Sequence, residues 1–526
     1  MEGIELHPWE EGFKPPERFN MVSLLLERHL EQGGGQHVAI YCGDEKVTYN
    51  QLGELANRVG NGLSGLGVEP EQRVFLLLPD GPEFVATFLG TMKIGAVPVP
   101  INVLATSSDL RYFLQDSRAK AAVVGQEFLP KLEAVVGDCP SLRHVIVVGE
   151  EPGRNRSFRE LVGGSSPKLG VFPTHKDDSS YWLYSSGTTG QPKGVIHLHH
   201  DLVYCVETWG RHVVDFTPDD IVYCVPRLFF SYGLNNALYL PLYYGAAVVL
   251  SPQRQEPAVV LENIRRYRPT IFFSVPTSYG QILRDIEDKG IEADLSSVRY
   301  CVSAGEALPG PLYERWLSRF GVEILDGLGS TEVGWIYINN LPGKVKKGSS
   351  GFLLPGYRTK IVGDDGEELP PGEMGDLLIS SDSTAAGYWN KHDRNKESFQ
   401  GSWMLTGDRY SRDEEGYFFY GGRSDDALKV SGIWVSPLEV EQTLLEHESV
   451  AECAVIGAQD EMGLIKPKAF ITLRSSFQPG AELGATLQNF VKGKLAPYKY
   501  PRWIEFVSEL PKTATGKIQR YRLRQS

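Results

Sequence analysis

The stretch SSGTTGQPKG, running from Ser185 to Gly194, decides how this chain is read. It lies between two strand-like segments, the apolar run YWLY at 181–184 and Val195-Ile196. Glycines let backbone N–H groups turn toward a single anion, hydroxyls add donors, and Lys193 adds a full positive charge. That composition suits a clamp for phosphate groups. It is not the Walker loop, because no Gly-Lys-Ser/Thr opens a helix here. Taken alone, such a loop is more plainly a surface turn rich in Gly and Ser/Thr. The segments around it decide between the two.

The chain has 526 residues, 41% of them hydrophobic, and a formal net charge of −13. At roughly 150 residues per domain this length holds several domains and a large core. The acidic balance argues against nonspecific nucleic-acid binding while leaving room for a local basic patch facing a polyphosphate. The six cysteines (Cys42, Cys139, Cys205, Cys224, Cys301 and Cys453) are scattered, form no CxxC and read as small buried hydrophobes of a reducing compartment. The start, MEGIELHPWEEGFKPPERFN, has no basic n-region followed by an apolar run, so it is not a signal peptide. Runs such as 74–78 and 246–250 are strand-sized, far short of the ~20 residues that span a bilayer. The expectation is a soluble, cytoplasmic protein.

From Thr48 apolar residues recur at helical steps, with Leu52, Leu55, Val59 and Leu63 on one face and Gly65 and Gly67 ending the run. A strand at 73–78 and a helix at 83–92 follow. Further strands are expected at 121–125, 145–148, 221–225, 246–250, 271–275 and 298–302, with helices at 259–267 and 312–320. Strands alternating with helices imply α/β layers with largely parallel sheets. Around Ser349 short strands (357–362, 375–380, 417–420) separated by Gly/Asp/Pro turns replace that pattern. The last hundred residues return to a compact α/β pattern: helix 438–446, strands 451–456 and 468–473, helix 483–495. The expected architecture is a large N-terminal domain (1–424) of layered α/β sheets with a β-rich subdomain (349–424). A small, mobile α/β C-terminal domain (425–526) follows.

Four further motifs follow the loop in order. DGLGSTE (326–332) ends in a hydroxyl and a hard carboxylate, suitable ligands for Mg²⁺ on a nucleotide, although a strand-end turn with a capping hydroxyl is the commoner account of such a string. SAGEALP (303–309) reads equally well as a helix N-terminal turn. TGD (406–408) places a carboxylate on a tight turn, able to accept both ribose hydroxyls, and GGRSDDALKVSG (421–432) follows it. PKTATGKIQR (511–520) is a polar tail whose lysine would ordinarily be just solvated.

Together, in this order and spacing, the five resemble the motifs of the adenylate-forming enzymes: acyl-CoA synthetases, nonribosomal-peptide adenylation domains and firefly-type luciferases. The resemblance covers nearly the whole chain and implies ATP, Mg²⁺ and coenzyme A. It makes Lys517, Thr188, Lys193 and Glu332 the catalytic candidates, with Glu332 also holding magnesium. The nucleotide would be held by Ser185, Ser186, Gly187, Thr189, Gly190, Gly305, Glu306, Ala307, Asp326, Gly327, Leu328, Gly329, Ser330, Thr331, Asp408 and Arg423. Leu328 stands where the family often has an aromatic residue against the adenine. Asp425 falls on the hinge, and Lys429, Ser431 and Gly432 on the segment serving the thiol step. A lysine such as Lys517 is needed because two anions, a carboxylate and an α-phosphate, must meet. Lys494, Lys499 and Arg502 are nearby basic candidates for the CoA 3′-phosphate.

The aromatic stretch RLFFSYGLNNALYLPLYYGA (227–246) borders the family's acyl pocket, with Phe230 where many members carry a histidine. Phe230, Ser231, Tyr232, Gly233, Ala304, Gly334, Trp335 and Ile336 are the pocket candidates. An aromatic box closed by Trp335 suits a ring better than a flexible chain. FFSYGLNNAL and GRSDDALKVSGIWVSPLEVE look most like benzoate-CoA ligases, with Gly334 and Trp335 as departures. The implied substrate is a ring carboxylate, benzoate-like or cyclohexane- or cyclohexenecarboxylate-like. It would pass through an acyl-adenylate to CoA, a sequence that could also run in reverse to make ATP. The alternatives are an adenylation enzyme loading a carrier protein and a non-catalytic nucleotide-binding protein. A homodimer is left open. The cluster HLHH (197–200) invites a metal reading, but no acid or cysteine stands at a matching spacing. Lys344, Lys346 and Lys347 read as a solvated loop.

Overall fold

The computed structural model describes residues 15–185, 191–424, 428–430, 433–461, 464–496, 498–512 and 518–524. Its largest sheet has nine strands. Six neighbours run parallel: Ile324–Gly329, Tyr300–Ala304, Ile271–Ser274, Ile221–Cys224, Ala247–Leu250 and Val38–Cys42. Antiparallel strands close its two edges, Ile336–Asn339 and Phe352–Leu353 at one end and Glu45–Thr48 at the other. A second, five-stranded sheet is parallel throughout, in the order Val97–Pro100, Arg73–Leu77, Ala121–Gly125, His144–Val148, Arg156–Ser157. The parallel strands are apolar on both faces because helices cover them.

The helix expected from Thr48 runs Tyr49–Gly65, opened by a capping box in which the Thr48 hydroxyl accepts from the Gln51 N–H while the Gln51 side chain accepts from the Thr48 N–H. It packs against Pro82–Lys93. Most expected elements recur within two residues. The strand expected at 298–302 is found at Tyr300–Ala304, carried two residues on by its pairing with Ile324–Gly329. Helix Asp201–His212 is an element that the sequence reading passed over.

Between these sheets stands a three-stranded antiparallel unit, Gly387–Tyr388, Lys193–Leu198 and Ser179–Ser185. Downstream lies an antiparallel sheet of Arg358–Val362, Gly375–Ser380, Trp403–Arg412 and Phe399–Gln400, with Phe418–Arg423 paired to Trp403–Arg412. The last part of the chain has its own sheet, Val450–Gln459, Ile465–Leu473 and Trp503–Phe506, packed with helices Pro437–Leu445 and Ala481–Lys494 around its own core. Five of the six cysteines are buried and all six are free thiols. Among the described residues no helix is long and apolar enough to cross a membrane.

Candidate active site

The antiparallel pair Ser179–Ser185 and Lys193–Leu198 ends with Ser185 opposite Lys193. Ser186, Gly187, Thr188, Thr189 and Gly190 lie outside the described residues. Lys193 projects its ammonium 4.1 Å over the Tyr388 ring. Burial lowers its pKa, the charges of Arg394 and Arg423 push the same way, and Glu332 opposes them. A lysine in such surroundings is partly desolvated and set to meet an anion.

Glu332 is held at several points. Its carboxylate accepts from the Ser185 hydroxyl and from the Tyr388 hydroxyl, each at 3.1 Å. Its backbone carbonyl accepts from the Ala385 N–H at 2.8 Å. Just before it, the Thr331 carbonyl accepts from His197 Nε2 at 2.7 Å, and the Ser330 hydroxyl accepts from the Val333 N–H at 3.2 Å. Among the described residues no three His, Cys, Asp or Glu side chains cluster in a way that could hold a metal. Magnesium on a nucleotide asks for less: one or two carboxylates, with phosphate and water oxygens completing the shell. Glu332, a hard oxygen donor beside the Ser185 hydroxyl, fits that requirement.

Asp326, Gly327, Leu328 and Gly329 form the end of strand Ile324–Gly329, so the motif continues the sheet rather than leaving it as a loose turn. Asp326 is buried, and burial pushes its carboxyl up to about 8; the Ser303 hydroxyl and Leu308 backbone pull the other way, while Glu306 adds to the rise. Gly305, Glu306 and Ala307 follow the end of strand Tyr300–Ala304, whose last residue, Ala304, is buried. Glu306 accepts from the Thr277 hydroxyl at 2.8 Å and its N–H at 3.3 Å.

Asp408 and Arg423 face each other across paired strands. The Arg423 guanidinium donates to the Asp408 carboxylate at 3.0 Å and to the Thr406 carbonyl at 3.2 Å. Burial works against the Arg423 charge, but the charges of Asp408, Tyr420 and Glu332 outweigh it and raise the pKa. Glu332 thus acts on both Lys193 and Arg423, and Arg423 acts on Lys193. Four residues from three separate motifs share one electrostatic neighbourhood.

The acyl candidates lie beside it. Phe230 is half-buried and precedes the short helix Ser231–Leu234, its ring 4.5 Å from that of Phe229. Gly233 has no alternative, because a Cβ there would stand 2.0 Å from the Arg227 carbonyl oxygen. The Tyr232 hydroxyl donates to the Val302 carbonyl at 3.1 Å, and its ring meets Phe273 edge-on. Asn235 donates to the Ser231 hydroxyl at 3.2 Å and also to the Gly334 carbonyl, tying the helix to the turn after Glu332. Gly334 has φ +86°, and a Cβ there would lie 3.3 Å from both His197 Cε1 and Leu202 Cδ2. Trp335 and Ile336 are buried; the Trp335 ring neighbours Trp209 at 6.4 Å, and its Nε1–H finds no hydrogen-bond partner among the described residues.

Lys517, Asp425, Ser431 and Gly432 lie outside the described residues. Lys429 belongs to strand Leu428–Val430, opposite Trp434. Lys512 and Ile518, on either side of the Lys517 segment, pair as an antiparallel bridge. Of the basic CoA candidates, Lys499 is committed to both Glu439 oxygens at 2.6 Å and Lys494 to Glu446, while Arg502 stacks 3.9 Å over Tyr500. Lys346 and Lys347 keep to the surface, as their reading as a solvated loop expects, and there pair with Asp413 and Glu415 and with Glu314.

Sequence reasoning missed Tyr388, Asn235 and the role of His197. Tyr388 stands alone in GYW with no pattern to mark it. His197 was conspicuous only as one of a histidine cluster. Both its ring nitrogens are taken, Nδ1 by Asp201 at 2.8 Å and Nε2 by the Thr331 carbonyl.

Comparison with known proteins agrees with this arrangement. Residues 26–389 match the family model described as AMP-binding enzyme, and residues 439–517 match the AMP-binding enzyme C-terminal domain. The chain belongs to the AMP-binding enzyme family and is an AMP-forming acid–thiol ligase, using ATP, Mg²⁺ and coenzyme A. It is 46% identical to a benzoate–CoA ligase of Thauera aromatica over 515 residues, 98% of this chain and 97% of that protein. It is 43% identical to a 4-hydroxybenzoate–CoA/benzoate–CoA ligase of Rhodopseudomonas palustris, covering 97% and 95%. The solved structure of an anthranilate CoA ligase in complex with anthranoyl-AMP superposes with a TM-score of 0.92 at 43% identity, covering 97% of this chain and 98% of that one.

Proposed function

We propose that the chain activates an aromatic ring carboxylate, benzoate or a substituted benzoate, as its acyl-adenylate and passes the acyl group to coenzyme A. One observation carries this reading. Lys193, Glu332, Asp408 and Arg423 meet in one charged neighbourhood, and Gly334, in the turn after Glu332, is tied through Asn235 to the short helix that carries Tyr232. Relatives named for benzoate, hydroxybenzoate and anthranilate support the aromatic choice.

In the first step a carboxylate oxygen attacks the α-phosphorus of ATP, forming the acyl–phosphate bond as the bond to pyrophosphate breaks. Lys193 and the 185–190 segment would hold the outgoing phosphates, Asp408 the ribose hydroxyls and the 326–331 segment the base. Glu332 would hold the magnesium that neutralises the phosphates. Lys517 would lower the repulsion between the two anions at the transition state. In the second step the CoA thiolate attacks the acyl carbonyl and AMP leaves. The 425–526 segment would turn about Asp425, withdrawing Lys517 and presenting Lys429, Ser431 and Gly432 to the thiol arm.

Carboxylate-dependent ATP–pyrophosphate exchange tests this. The panel is benzoate, hydroxybenzoates, 2-aminobenzoate, cyclohexanecarboxylate, cyclohexenecarboxylate, acetate and a medium-chain fatty acid. Exchange with the aromatic acids above all others is expected. Exchange led by the fatty acid refutes the ring assignment, and exchange led by the alicyclic acids refutes its aromatic part. Product that forms with a phosphopantetheinylated carrier and not with CoA refutes the acceptor.

A further inference from the structure

His197 and Asp201 are both fully buried; His197 lies on strand Lys193–Leu198, after the 185–194 loop, and Asp201 opens the helix that follows. The imidazole stacks on Tyr181, with ring centroids 4.9 Å apart and planes 14° apart. Its Cε1 edge lies against Gly334, where no Cβ fits without crowding. Asp201 Oδ2 takes Nδ1 at 2.8 Å and also accepts the Leu198 N–H at 3.0 Å, so the carboxyl is fixed by its own turn. The other nitrogen, Nε2, meets the Thr331 carbonyl at 2.7 Å. A carbonyl can only accept, so Nε2 must carry hydrogen. Thr331 immediately precedes Glu332, and Lys193 lies four positions before His197 on the same strand.

We propose that His197, held by Asp201, is a positioning residue for the adenylation step: its Nε2–H fixes the Thr331 carbonyl and so aims the Glu332 carboxylate at the magnesium of bound MgATP. The link spans 134 positions of chain and joins the strand carrying Lys193 to the turn carrying Glu332. It keeps the two groups that face the nucleotide phosphates in one fixed frame. The proposal rests on the reading of Glu332 as the magnesium carboxylate.

The test compares wild type, His197→Phe, His197→Gln and Glu332→Gln. Phenylalanine keeps the ring volume and the stack on Tyr181 but offers no donor; glutamine restores an N–H. Isothermal titration calorimetry follows binding of a non-hydrolysable ATP analogue with and without Mg²⁺. Exchange kinetics and thioester formation from supplied acyl-AMP report the two half-reactions. Groups that orient a metal ligand change affinity by about 10–100-fold. His197→Phe should lose the affinity gained from Mg²⁺ by about tenfold or more, with a matching fall in exchange kcat, and His197→Gln should recover most of it. Thioester formation should change less than about threefold on that scale. If Glu332→Gln loses the magnesium gain while His197→Phe keeps it, or if Phe and Gln fall alike, the positioning role is wrong and the Glu332 reading stands. If Glu332→Gln keeps the gain, that reading fails and takes the proposal with it. Should the Phe variant not fold, ¹⁵N-histidine spectra of wild type serve: a protonated Nε2 is required, and a bare one overturns the proposal.

Discussion

Asp326→Asn offers a quantitative check on the buried strand end. The Asp326 carboxyl is raised by burial from 3.8 to about 8 in the folded chain. Between those values the folded state holds a proton that the unfolded state has released, so stability is fully present at acid pH and is lost as pH rises toward 8. Each pKa unit is worth about 1.36 kcal/mol. From pH 5.5 to pH 8 the loss from this one group is about 3 kcal/mol, an upper figure because a real interior relaxes around a charge. Asparagine keeps the shape and never ionises. Urea unfolding of wild type and Asp326→Asn at pH 5.5 and 8 isolates the term, since the other titrating groups cancel in the difference. Wild type should lose about 2–3 kcal/mol more than the variant over this range. Curves that stay parallel to within about 0.5 kcal/mol refute the protonated carboxyl.

Lys517→Ala should reduce ATP–pyrophosphate exchange by at least about 100-fold, as for loss of a charge aimed at a transition state, and spare thioester formation from supplied acyl-AMP; equal loss in both half-reactions contradicts its assignment. Asp408→Ala removes the acceptor proposed for the ribose and strands the Arg423 charge, so the KM for ATP should rise about tenfold or more in steady-state assays. Gly334→Ala puts a side chain at φ +86° against His197 and Leu202. It should destabilise by about 1–2 kcal/mol or more, seen as a lower Tm.

How much of this was legible in the sequence depends on the range of the interaction. The capping box at Thr48 is local, and its helix was found to within a residue. The strands flanking the 185–194 loop follow from their apolar runs. The contact of His197 with Thr331 and of Tyr388 with Glu332 depends on how separate sheets are set side by side, and no spacing records that. The metal reading of the histidines was set aside, but nothing in the sequence pointed to what His197 does bond: a carboxyl four residues on and a carbonyl far away. The surface ion pairs of Lys346 and Lys347 were illegible for the same reason: their acids lie at 314, 413 and 415.

The pairing of Lys512 with Ile518 has a kinematic consequence. Lys512 is pinned to both Glu452 oxygens at 2.8 and 2.9 Å, and Arg520 to Glu441 at 2.8 Å. Lys517 is covalently one Cα step, ~3.8 Å, from Ile518. The described chain on both sides of residues 513–517 is thus anchored, to strand Val450–Gln459 and to helix Pro437–Leu445. In the proposed two-step cycle, exchanging Lys517 for another group at the phosphate would displace the whole 425–526 segment at once. On the proposed cycle, the interval between making the adenylate and consuming it would follow that movement, so solvent viscosity and cross-links near residue 425 would slow turnover without touching the reacting groups.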